Sequence, residues 1–178
     1  MSEASIARVK KTKVDAFANV AFGDVACSAA NVLTFAAIQM AVGLFQGIAM
    51  VIHRIKYHPT AVSLREIVAA TDDLTMAICT SNRLTGIHDA NDPAIIDNMR
   101  IIGVGVAVEP HRVPYVSDFS SLPGGGKIVS ANPLYCGIYT TGAVAASRFR
   151  VQLEFTFIGL SDRDYLEIIQ SQFPANIS

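Results

Sequence analysis

The chain has 178 residues, enough for one domain of ordinary size with a sizeable core. Its apolar share is 51% and its charged share 16%, the second well below the usual level for a soluble domain. The net charge of −1 excludes a chain that is strongly basic as a whole, and the scarcity of charge leaves two readings: a subunit whose faces are covered by neighbours, or a membrane protein.

The charge is unevenly spread. Arg8, Lys10, Lys11 and Lys13 stand against Glu3 in the first fourteen residues, while the remainder is mildly acidic. Residues 1–24 read as an extended arm, basic at 8–13, and residues 25–178 as the folded domain. The arm has no interleaved aromatic residues, so it suits phosphate neutralisation without base stacking. A solvated terminus is the alternative.

From Val25 to Ile52 no residue is charged, and Gly43 and Gly47 form a GxxxG pair. The stretch is long enough for a transmembrane helix. Against that stand Asn31, Thr34, Gln39 and Gln46, and the strand-like alternation of Leu33, Phe35 and Ala37 with Thr34 and Ala36. The run then continues into Val51-Ile52-His53-Arg54-Ile55-Lys56-Tyr57, which reads as a strand with Arg54 and Lys56 on one face.

Further strands follow. Leu74, Met76 and Ile78 suggest one, and Ile102, Val104, Val106 and Val108 suggest another, opposed by Gly103, Gly105 and Ala107. Leu134 to Thr140 is bracketed by Pro133 and Gly142. The clearest lies at Arg148–Phe157, where Phe149, Val151, Leu153, Phe155 and Phe157 alternate with polar residues and face a core. Loops are expected at His58-Pro59, Asn82 to Pro93, Pro110 to Pro114 and Leu122 to Lys127. Short strands at this spacing predict an all-β sandwich or barrel. A short helical turn is expected at Ser63–Val68, with Ser63 as cap and Glu66 completing a capping box. A C-terminal helix is expected near 161–173, capped by Ser161, with Leu166, Ile169 and Phe173 docking it on the sandwich.

The candidate chemistry is sparse. Gly124-Gly125-Gly126-Lys127 is not a phosphate loop, because Ser121 stands where the first glycine belongs and Ile128 follows the lysine. His53, His58, His88 and His111 do not form a same-face pair with a third ligand. Asp89 and Asp92, within His88–Asp92, are candidate calcium ligands, with a solvated loop as the alternative. Cys27, Cys79 and Cys136 lack metal-ligand spacing and read as small buried hydrophobes. No GxSxG occurs. A non-enzyme without cofactors is therefore expected.

Asn31 to Phe35 and Gly43 to Ile55 resemble the opening strands of small viral jelly-roll coat proteins, and are similar to uncharacterised proteins from environmental viral sequences. Asp118 to Gly126, Asn132 to Tyr135 and Asp164 to Glu167 fit the same resemblance, which extends from about Ala30 to Gln170 and carries over no catalytic residue. It implies a jelly-roll β-sandwich with a short C-terminal helix and an extended N-terminal arm. It further implies self-assembly into a virion shell, with Arg8, Lys10, Lys11 and Lys13 facing genomic nucleic acid and a second capsid protein as a further partner. Two other classes stand beside it. One is a membrane-associated assembly protein using residues 25–52. The other is a jelly-roll carbohydrate-binding module with Tyr57, Tyr115, Tyr135 and Tyr139 as stacking platforms.

Overall fold

The computed structural model describes residues 18–38, 40, 48–105, 114–122, 124–130 and 133–172. It contains two antiparallel sheets packed face to face. The first joins β1 (Asn19–Ala26), β9 (Arg148–Gly159), β3 (Ile48–Pro59) and β6 (Tyr115–Asp118) in that order, and β7 (Lys127–Val129) also pairs with β3. The second has the order β2 (Thr34–Ala37), β8 (Tyr135–Thr141), β4 (Asp73–Cys79), β5 (Ile95–Ile102). Two helices complete the fold, α1 (Ala61–Glu66) and α2 (Asp162–Gln172).

The period-two pattern at Arg148–Phe157 forms β9, with Phe149, Val151, Leu153 and Phe155 buried and Phe157 half-buried against the same core. From the opposite sheet, Leu74, Met76, Ile78 and Ile138 meet them. Each such fully buried side chain contributes roughly 1.5–3 kcal/mol relative to exposure. β4 is buried along its whole length, because it carries a core on both faces. Leu74, Met76 and Ile78 belong to the main core, whereas Ala77 and Cys79 belong to a smaller cluster with Ile87 and Ile95 on the outer side of the sheet. All three cysteines are buried and free.

Four sequence expectations need correction. Residues 19–24, assigned to the arm, are strand: β1 pairs with β9 from Asn19↔Phe155 to Ala26↔Arg148 and turns Ala21 and Val25 into the core. Its inward residues are small because β8 lies close, and a Cβ on Gly23 would collide with the Cys136 sulfur. In the expected strand at Ile102–Val108, the described residues Ile102 and Val104 do not face a core. The strand is Ile95–Ile102, and Ile102 and Val104 are exposed. At Gly103 the chain turns away, its amide donating to the Asp72 carbonyl at 2.9 Å, where a side chain would strike Ala69 O. Val106 and Val108 lie outside the described residues. The cap of α1 is Thr60 rather than Ser63. The Thr60 hydroxyl accepts from the Ser63 amide at 3.2 Å, while the Ser63 hydroxyl donates to the Arg148 carbonyl at 3.0 Å and ties α1 to β9. The side chain of Glu66 lies outside the described residues. Finally, Leu166 is exposed rather than docked, and the side chains of Ile169 and Phe173 are outside the described residues. The Ser161 cap is present: its hydroxyl oxygen accepts from the Asp164 amide at 3.2 Å.

The glycine loop has a structural account. Gly124 and Gly125 have φ of 90° and 79°, in the left-handed region, and a Cβ on Gly126 would sit 2.6 Å from the Ile52 carbonyl oxygen. The loop lies against a bulge in β3 at His53, whose Nδ1–H donates to Gly125 O at 2.6 Å while Nε2 meets the Thr156 hydroxyl at 2.9 Å.

Candidate functional site

The connections between strands sort to two ends of the sandwich. At one end four of them touch: β1–β2, β3–β4 with its helix α1, β5–β6 and β8–β9. The Cys27 amide donates to the Ser147 carbonyl at 2.8 Å, and the Asn31 side chain makes two bonds with the Ala143 backbone. Asn31 has φ of 57°, which an asparagine tolerates. The β3–β4 connection reaches β5–β6 through Asp72 O to Gly103 N and Val68 O to Gly105 N.

This end presents apolar side chains to solvent. Val32, Val62, Val104 and Val144 stand on the four connections and Ile102 at the end of β5, with exposures from 40% for Val32 to 89% for Val144. Each of the four connections at this end therefore carries an exposed apolar side chain, with Ile102 exposed at the end of β5 beside them, and together they make up an apolar crown. Beneath it, Asp73 is buried and its Oδ2 accepts two bonds from the Arg100 guanidinium. The crown was not legible as a site in the sequence. Val32, Val62 and Val144 stand in three different connections with no pattern that links them, and the alternation of Ile102 and Val104 with glycine reads as a core face.

The opposite end carries the attachment points of both termini. β1 starts beside Phe155 of β9, and α2 follows the end of β9 directly. Arg8, Lys10, Lys11 and Lys13 lie outside the described residues.

The outer face of the β1-β9-β3-β6 sheet is a charged ladder between apolar margins. Arg54 sits between Asp118, at 2.8 Å, and Glu154, at 3.5 Å, and Lys56 also pairs with Glu154. Arg148 and Arg150 share Asp24. Hydrogen bonds from the Ser120 hydroxyl and amide, then the Arg54 guanidinium, hold the Asp118 carboxyl well below its ordinary range. The Arg148 hydrogen bond lowers the Asp24 carboxyl, burial opposes it, and Arg150 adds to the lowering. Val20 and Phe22 are exposed at the β1 margin, and Val116 and Ile128 at the β6/β7 margin.

The remaining expected site residues do not converge. The Asp89 and Asp92 carboxylates accept the amides of Asn91 and Ala94, each at 2.9 Å, as local turn formers. Among the described residues no group of three His, Cys, Asp or Glu side chains is placed to hold a metal ion. Tyr57 is fully buried and is therefore not a stacking platform. It lies on the face of β3 opposite Arg54 and Lys56, with Ile55, and that face is turned into the core. Tyr115, Tyr135 and Tyr139 are half-buried on three different surroundings, Tyr115 against the main core and Tyr139 against His88. Within the uncharged stretch, β1, β2 and β3 occupy 25–26, 34–37 and 48–52, and among the described residues no helix is long and apolar enough to cross a membrane.

No family model matches the chain, and a search of curated proteins finds none similar to it.

Proposed function

We propose that this chain is a coat-type subunit, folded as a jelly roll, that self-assembles into a closed shell around nucleic acid and catalyses no reaction. The order of strand pairing supports the fold. With β6 and β7 counted as one interrupted strand along β3, the first strand pairs with the last and the second with the next to last. The third pairs with the third from last, and the two middle strands pair with each other. A long antiparallel hairpin rolled into two sheets has this order.

The observation that carries the assembly reading is the apolar crown. Closed symmetry brings the same end of several subunits to a common axis, so one apolar end on each copy is covered by its neighbours there, and other faces of the subunit make the contacts around the remaining axes. The low charge content fits a chain whose surface is covered by its neighbours. β1 starts at the far end of the sandwich, and the basic arm that precedes it is the segment assigned to packaged nucleic acid inside a virion, with a second capsid protein as an additional partner.

The test is sedimentation velocity and electron microscopy of the purified protein beside Val62→Asp/Val104→Asp. Assembled wild type and a folded, dispersed double variant are expected. A wild type that stays monomeric across protein concentration and salt, or a variant that assembles equally, overturns the reading.

A further inference from the structure

The segment Ser81–Pro93 between β4 and β5 crosses the outer face of the second sheet and covers it. Its base is closed where the Thr80 amide donates to the Ala94 carbonyl at 2.8 Å, so its two ends lie together, as in an Ω-loop. Several of its bonds are internal. The Arg83 amide donates to the Ser81 hydroxyl, the Asn91 amide to the Asp89 carboxylate, and the Asp92 amide to the Asp89 carbonyl. Near its end the Ile95 amide of β5 donates to the Asp92 carbonyl at 2.9 Å, and elsewhere, among the described residues, the bonds to the sheet beneath involve side chains. Asn98 donates to the carbonyls of Ile87 at 3.0 Å and His88 at 3.2 Å, the His88 ring bonds the Thr75 hydroxyl at 3.0 Å, and that ring stands edge-on to Tyr139.

The apolar groups under this strap form their own cluster. Ile87 is fully buried against Ala77, Cys79 and Ile95, with Leu33, Phe35, Leu84 and Tyr139 around them. The main core lies on the other side of the same sheet. Lifting the strap therefore uncovers the small cluster and leaves the main core, both sheets and every strand pairing intact. Because the free energy of a local opening follows the surface it uncovers, this opening costs less than global unfolding.

We propose that Ser81–Pro93 opens as a unit in the native state, exposing the outer face of the β2-β8-β4-β5 sheet independently of the main core. The proposal is independent of the assembly reading. Two of the protein's own thiols report on it. Cys79 lies in the strap's cluster and Cys136 in the main core, and burial raises both thiols, so alkylation of either waits on an opening that exposes it.

The test is alkylation of the folded wild-type protein by a small maleimide at increasing urea, with peptide mass spectrometry reading each cysteine. Cys79 is expected to react at least about tenfold faster than Cys136 in the absence of urea, the equivalent of about 1.4 kcal/mol. Its rate should change little with urea, while that of Cys136 climbs steeply with the surface exposed in global unfolding. Leu153→Ala, which weakens the main core, should speed Cys136 and leave Cys79 unchanged. Equal rates with one common urea dependence overturn the proposal, and the wild-type comparison decides it even if Leu153→Ala does not fold.

Discussion

The Tyr57 hydroxyl donates to the Asp97 carboxylate at 2.8 Å across the gap between the two sheets. Tyr57 rises from β3 and is wholly buried, while Asp97 stands on the edge strand of the other sheet. Lys127, on β7, reaches across the same gap to the Ile96 carbonyl, and its ammonium is pushed below its ordinary value by burial, against the opposing pull of Asp97. This side of the sandwich is thus held by polar bridges.

Tyr57→Phe is expected to cost about 1.5–3 kcal/mol, because it leaves a half-buried carboxylate short of a donor. Urea denaturation at neutral pH measures it. A loss below about 0.5 kcal/mol would show that water replaces the phenol at no cost.

Burial raises the Asp97 carboxyl above its ordinary value, while Ser117 and Tyr57 bonds partly oppose the shift. A carboxyl raised in the folded state contributes stability that is full below its unfolded value and is lost as pH rises through the folded one. The stability of wild type relative to Asp97→Asn is therefore expected to fall as pH rises from the ordinary aspartate range. A difference that is constant with pH would show Asp97 to titrate as it does in the unfolded chain.

Asp118 and Asp24 behave in the opposite sense. Their lowered values mean stability present above the ordinary aspartate range and lost as pH falls through the folded values. Asp118→Asn and Asp24→Asn should each flatten the acid limb of the stability curve. Both carboxyls are exposed, so the effect should shrink further in high salt.

Gly126→Ala should destabilise by more than about 1 kcal/mol, since the added methyl meets the Ile52 carbonyl at 2.6 Å. Gly86→Ala meets nothing within 4 Å and its φ is not in the left-handed region, so it should be neutral or slightly stabilising. Thermal melting of the pair compares the two directly.

Phe155→Asp should unfold the domain or cost more than about 4 kcal/mol, because it puts an unpaired charge in the main core. Soluble yield and circular dichroism check it. By contrast, alanine at Arg8, Lys10, Lys11 and Lys13 together should leave melting unchanged and lower the nucleic-acid content of purified particles. Unchanged content would separate the arm from packaging.

The alternation at Arg148–Phe157 and the run at Val51–Tyr57 announced β9 and β3, because a strand with one buried face writes its period into its own residues. The cap at Ser161 was equally local. β1 was hidden, since its inward positions are alanine, glycine and valine, and a glycine facing Cys136 carries no hydrophobic signal. The same limit applied to Ile102 and Val104. Valine alternating with glycine reads as a core face until it is known that Gly103 turns the chain toward Asp72 and out of the sheet. Local pattern therefore determined that this protein is built of strands in a sandwich or barrel and which face of its long strands is apolar, and the two packed sheets make it a sandwich. Only tertiary structure decided that β4 has a core on each side, that a strap covers the second one, and that five scattered apolar residues are exposed at the same end. Those are relations between segments far apart in the chain, and no single segment's periodicity encodes where its neighbours end.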